Sequence, residues 1–357
     1  MDFGFTEEQE LLRGAARDFL ARACPLTRVR ELLDDPRGHD PALLAQLAEL
    51  GWSGLAIPES HGGAGLGVLE LAVLFEELGR ALVPSPLFAT LLGSLALLRG
   101  GSAEQQQRWL PSAARGTSIL SVAIPDETDA ELRAEPGPGG PRLSGTAGCV
   151  PDGHNADVCI VTASGALFAV ERGAPGLRSV PLAGLDATRR IAALHFDATP
   201  AVPLAGERSA ADVWDWLRDR ALVVLAAEAI GGCEKVLEDT LAYVRQRVQF
   251  GKPIAAQQVV QHQCVGMLEE LESARAIARY AAWAVATDDA EAALAAAMAK
   301  ARTGDAYRRM TADSIQLHGG VGFTWELDCH LFYKRARAAD VLLGDANQHR
   351  ARIASLL

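Results

Sequence analysis

The chain has 357 residues, 49% hydrophobic and 22% charged, with a formal net charge of −11. That length suffices for two or three domains with real cores, and the composition is globular rather than disordered. The excess of acids argues against a general nucleic-acid binder, which needs a basic surface. The opening MDFGFTEEQE lacks the basic and apolar regions of a signal peptide. The nearest approach to a membrane span, residues 82–98, carries Pro84 and Pro86, so no crossing is expected. Six cysteines without a CxxC pair read as reduced, mostly buried thiols in a cytoplasmic protein.

Residues 1–117 predict helices. Thr6 and Gln9 form a capping-box pattern, and Leu11, Leu12, Ala15, Phe19 and Leu20 then recur at helical spacing. A second helix is expected from Pro41 to Leu50. After the loop Ile57–Gly67 a third runs through Leu69, Val73, Leu74 and Leu78. Residues 118–209 predict a small β domain: 118–124, 157–163, 166–170 and 192–196 are short apolar runs between turn-forming clusters, above all EPGPGGP at 135–141. Residues 210–357 return to helix. Leu237, Leu241, Val244 and Val248 share one helical face. Ala274–Ala301, free of glycine and proline, suits a long helix packed among others.

Several motifs carry chemistry. GGAGLG at 62–67 resembles a phosphate loop, but it lacks a βαβ context and reads better as an inter-helix loop. Arg245 and Arg247 precede a helix stop at Gly251 and Pro253. Their guanidinium forks suit a pyrophosphate, or they are solvated and neutralise their own helix end; both readings stand. QLHGG at 316–320 ends another helix, and its paired glycines allow close approach of a ligand or simply cap the helix. His318 is an acid–base candidate without a neighbouring carboxylate, for which a structural role reads better. The histidines and cysteines show no metal-ligand spacing.

Taken together, the α-β-α plan resembles the acyl-CoA dehydrogenases, as do DFGFTEEQELLR, LGWSGLAIPESHGGAGLG, RVQFGKPI and QLHGGVGFTWE, in that order along the chain. GLDATRRIAALHFD at 184–197 resembles that family's exit from the β domain. The resemblance implies an α-helical N-terminal domain, a central β-barrel-like domain and a C-terminal four-helix bundle. It also implies FAD, with a carboxylate removing the α-proton of an acyl-CoA thioester while the flavin accepts the β-hydride. An electron-transfer flavoprotein is the implied electron acceptor.

The departures from the family cluster. Pro125 and Asp126, within AIPDETDA, stand where the flavin-binding stretch has Thr and Glu. Cys149 and Pro151, within AGCVPD, replace an aromatic residue and a threonine set against the flavin ring. Aligned on Gly344, Leu343 falls at the usual catalytic glutamate, and the alternative position of the base falls near Ala221. What the family donates across a dimer interface to a neighbour's FAD is retained: Arg247, Gln249, Phe250, Gln258, Gln316, Gly319 and Gly320. This pattern resembles the non-catalytic β-type subunit of the α2β2 steroid acyl-CoA dehydrogenases of actinobacteria. The implied partner is a homologous catalytic subunit that binds most of the acyl-CoA. Two alternatives stand beside this: a homotetramer whose base is displaced to Glu228 or Asp345, and a non-enzymatic scaffold of the same fold.

Overall fold

The structure, a computed structural model, describes residues 4–125 and 132–357. Asp126 lies outside the described residues. The elements in chain order are α1 (Glu7–Ala23), α2 (Leu26–Leu32), α3 (Pro41–Glu49), α4 (Val68–Arg80), α5 (Leu87–Gly100) and α6 (Ala103–Ala114). Then come β1 (Leu120–Val122), β2 (Arg133–Gly137), β3 (Gly140–Pro151), β4 (Val158–Ala163), β5 (Ala166–Glu171), β6 (Leu177–Pro181), β7 (Ile191–Pro200) and β8 (Val202–Pro203). The rest are α7 (Ala210–Gln246), β9 (Val248–Gln249), β10 (Lys252–Pro253), α8 (Gln258–Ala286), α9 (Ala292–His318), α10 (Cys329–Val341) and α11 (Ala346–Leu356). By contact the chain forms two units. One holds residues 1–30, 68–83 and 219–357, the other residues 31–67 and 84–218.

The first unit is helical. Thr6 caps α1, its hydroxyl accepting from the Gln9 N–H while the Gln9 side chain accepts from the Thr6 N–H, which satisfies two orphan donors of the first turn. Arg17 binds the buried Glu77 of α4 through two parallel bonds of 2.9 and 2.7 Å, so α1 is tied to α4 by charge as well as packing. The contact between α4 and α7 is glycine-lined. A Cβ at Gly79 would press on the Glu228 carbonyl, and one at Gly231 on the Glu76 carbonyl. Small residues there bring the two backbones together. Around α9 pack α8, α10 and α11, burying most of its alanines.

The expected helix over 274–301 is two helices. The chain turns at 287–291, where Asp288 adopts left-handed backbone (φ +49°) and the Asp289 carboxylate accepts from the Glu291 N–H at 2.9 Å. Aspartates make this turn, so no glycine or proline announced it. Val248, expected on the α7 face, lies beyond the helix in β9 and is exposed.

The second unit carries two open four-stranded sheets rather than a closed barrel among the described residues. Their orders are β1-β4-β5-β8, with β1 and β4 parallel, and β2-β3-β7-β6, antiparallel throughout. Leu143 and Val150 of β3, Val161 of β4, Phe168 of β5, and Leu194 and Phe196 of β7 share one buried core. The Pro/Gly cluster at 135–141 is mostly strand. It forms the β2–β3 hairpin, in which Gly137 pairs with Gly140 across a two-residue turn with Gly139 at φ +81°. The apolar run near 82–98 is largely α5, which is buried along nearly its whole length. No helix among the described residues is long and apolar enough to cross a membrane.

Candidate functional site

The ends of α7 and α9 carry most of the residues matched to the donated FAD contacts, and side chains link the two helices there. Helix α7 stops at Gln246, where the chain turns into the β9–β10 hairpin with Phe250 (φ +54°) and Gly251 (φ +79°) at its tip. Phe250 is 93% exposed. Helix α9 ends at Gly319, whose φ of +67° and ψ of −148° leave the helical region. The two ends meet through Tyr243 and His318. Their rings lie 4.3 Å apart, and the Tyr243 hydroxyl donates to the His318 carbonyl at 3.2 Å.

Arg247, Gln249, Gln258, Gln316, Gly319 and Gly320 are all exposed. Arg247, Arg245 and Lys252 form no ion pair among the described residues, in a chain of net charge −11. Nothing within 4 Å would meet a Cβ at Gly251, Gly319 or Gly320. Gln258 opens α8, so its side chain starts from a helix N-terminus. Guanidinium groups without an ion pair, exposed amides (that of Gln249 donating to the Val248 carbonyl at 2.8 Å) and bare glycine backbone fit a pyrophosphate and its adenosine, and an exposed aromatic fits a flat ring.

His318 is buried. Its Nδ1–H donates to the Ser314 carbonyl at 2.7 Å, which ties the imidazole to its own helix. GGAGLG is a tight loop: a Cβ at Gly63 would run into the Ile57 and Gly54 carbonyls. Among the described residues no group of three or more His, Cys, Asp or Glu is placed to hold a metal.

The positions where a base was sought hold none that is free. Leu343 is half-buried in a turn of left-handed backbone (φ +61°), and its carbonyl accepts from His349 Nε2 at 2.9 Å. Ala221 is buried on α7. Glu228 is buried and ion-paired to Arg335 of α10, the helix–helix salt bridge that is the ordinary reason for a buried glutamate. Asp345 caps α11, its carboxylate accepting from the Gln348 N–H at 2.8 Å.

Sequence reasoning missed Lys300. Its Nζ, in a side chain almost wholly buried on α9, donates to three carbonyls: Ala339 at 3.0 Å, Asp340 at 2.8 Å and Gly344 at 3.0 Å. It thereby closes the C-terminal end of α10 and holds the turn that carries Leu343. Burial pushes its pKa down to about 8, against the opposing pull of Asp340 and Asp345. A lone lysine in an alanine-rich helix was the only sequence signal. In the second unit, Cys149 is half-buried on β3, where its carbonyl accepts from the Ile124 N–H at 2.9 Å. The carbonyl of Pro151 accepts from the Ser121 hydroxyl at 2.5 Å.

Two family models match the chain: the acyl-CoA dehydrogenase N-terminal domain over residues 6–117 and the acyl-CoA dehydrogenase C-terminal domain over residues 219–357. Among curated proteins, acyl-CoA dehydrogenase IpdE2 of Mycobacterium tuberculosis is 34% identical over 351 residues, covering 98% of this chain and 97% of that one. The ChsE4-ChsE5 complex of M. tuberculosis contains a chain 31% identical with a TM-score of 0.92, covering 99% of this chain and 98% of that one. A variant of the Tcur3481-Tcur3483 steroid ACAD contains one 32% identical with a TM-score of 0.89, covering 98% and 97%.

Proposed function

The chain belongs to the acyl-CoA dehydrogenase family, a family of oxidoreductases, and from that premise we propose that it is a non-catalytic subunit of a heteromeric enzyme. It completes the FAD site of a homologous catalytic partner, which binds most of the acyl-CoA. The observation that carries this reading is a contrast within one unit. The residues matched to donated FAD contacts are exposed, and Arg247 among them forms no ion pair among the described residues, whereas Leu343 and Ala221 have no proton acceptor and Glu228 is held by Arg335.

Each donated residue has its own task. Arg247 binds the pyrophosphate with its planar fork. Gly319 and Gly320 admit the dinucleotide against bare backbone. Gln249, Gln258 and Gln316 offer amides to its polar edge, and Phe250 packs on its adenosine. When bound, FAD supplies hydride acceptance for the α,β-desaturation of the acyl-CoA thioester. The proton acceptor comes from the partner subunit. A steroid side-chain thioester is the proposed acyl group, because a relative carries the description steroid ACAD. An electron-transfer flavoprotein is the proposed electron acceptor, and the cytoplasm the proposed location. The division into 1–117, 118–209 and 210–357 is proposed as the family's three domains.

The homotetramer with a displaced base has the Glu228–Arg335 pair against it, and the scaffold reading leaves the free cations at 245–252 without a purpose. The test is Arg247→Ala in the complex co-purified with its catalytic partner. Flavin occupancy falls if the reading holds, and unchanged occupancy contradicts it.

A further inference from the structure

We propose that Tyr243 and His318 are positioning residues that hold two separate segments, 247–253 and 319–323, in one fixed geometry; the proposal rests on the reading of those segments as an FAD half-site. Tyr243 faces both ways. Its carbonyl accepts from the Arg247 N–H at 2.9 Å, so the residue that holds the Arg247 backbone is the one whose ring and hydroxyl engage α9. The His318 carbonyl that takes the tyrosine hydroxyl belongs to the peptide bond entering Gly319. A displacement of Tyr243 is therefore felt one bond from Arg247's turn and one bond from the paired glycines.

Further polar links fix the pair from behind. His318 Nδ1 donates to the Ser314 carbonyl at 2.7 Å, and the hydroxyls of Ser314 and Thr240 lie 2.8 Å apart, bridging α9 and α7 once more. Thr240, Ser314 and His318 are buried. Apolar contacts alone would bury the same area with slack in register, whereas hydrogen bonds in a dry site specify register because each unmade bond is costly. The ladder thus sets the spacing between the backbone at Arg247 and the backbone at Gly319 and Gly320. Neither Tyr243 nor His318 need touch the cofactor.

The test compares Tyr243→Leu, Tyr243→Phe and Arg247→Ala with the parent chain in complex with its catalytic partner. It reads amide hydrogen exchange by segment and the Kd for FAD. For Tyr243→Leu the proposal predicts exchange about tenfold faster in both 247–253 and 319–323, and FAD binding about tenfold weaker. Exchange over 222–230 and 295–306 stays at the parent level, which reports an intact bundle. Tyr243→Phe keeps the ring stack but loses the hydroxyl bond to the His318 carbonyl, so it shows both effects at about threefold. Faster exchange confined to 247–253, or weaker FAD binding with exchange unchanged, overturns the proposal. Should Tyr243→Leu not fold, Tyr243→Phe decides: exchange about threefold faster at 319–323 supports the coupling, and parent-level exchange there overturns it. Arg247→Ala separates the two readings. Unchanged FAD affinity in that variant, with coupled exchange in Tyr243→Leu, removes the FAD assignment and leaves the coupling standing.

Discussion

Arg335 donates through Nη1 to Glu228 Oε1 across the contact between α10 and α7, with side-chain exposures of 3% and 6%. Removing the Glu228 carboxylate takes a buried negative charge from beside the buried Arg335 guanidinium. Glu228→Gln is therefore expected to lower unfolding free energy by about 3 kcal/mol while leaving turnover of the assembled enzyme within about twofold of the parent. Denaturant unfolding and steady-state rates on the same preparations check both halves. A large loss of turnover with unchanged stability would instead restore Glu228 as the displaced base.

Lys300 gives a pH dependence whose sign can be worked out. Its folded pKa is lowered to about 8 from 10.5 by burial. Between those values the unfolded chain binds more protons than the folded one, so this group makes stability rise with pH, by at most about 1.4 kcal/mol per pH unit. Below pH 8 it is protonated in both states and contributes no slope. Denaturant unfolding of the parent and of Lys300→Met should therefore diverge from pH 8 to 10.5, the parent gaining. Parallel curves would show that Lys300 does not titrate in that window.

The α4–α7 contact predicts intolerance of a single methyl. Gly79→Ala sets a Cβ against the Glu228 carbonyl, and Gly231→Ala sets one against the Glu76 carbonyl. Backbone cannot yield as a side-chain tip would, so each should cost about 2–3 kcal/mol in denaturant unfolding. Gly266→Ala, on α8 with nothing within 4 Å of the new Cβ, should match or exceed the parent.

Local chemistry made much of the fold legible. The Thr6–Gln9 box started α1 where the sequence placed it, and Asp40 before Pro41 started α3. Less legible were features set by distant partners or unusual backbone. The turn at 287–291 uses Asp288 in a conformation that glycine normally signals. In the 135–141 cluster, proline and glycine sit within paired strands as well as in the turn, so a separator and a hairpin looked alike.

The candidate site divides in the same way. Arg247, Phe250, Gly319 and Gly320 lie in short stretches that residue types alone left open between a ligand site and a helix end, and only the family resemblance marked them as a candidate site. Glu228 could be a base or half of an ion pair until Arg335, 107 residues away, was seen beside it. His318 read better as structural than as acid–base, but its partners were hidden from the sequence: a carbonyl on its own helix and Tyr243, 75 residues earlier.

The central claim is that this chain supplies half of a flavin site and owns none complete. The most direct measurement is flavin absorbance per chain together with mass by light scattering, on the chain alone and after co-expression with a catalytic partner. The account predicts little flavin on the chain alone and one FAD for each pair of unlike chains in the complex. A full flavin on every copy of the chain in a homotetramer would contradict it.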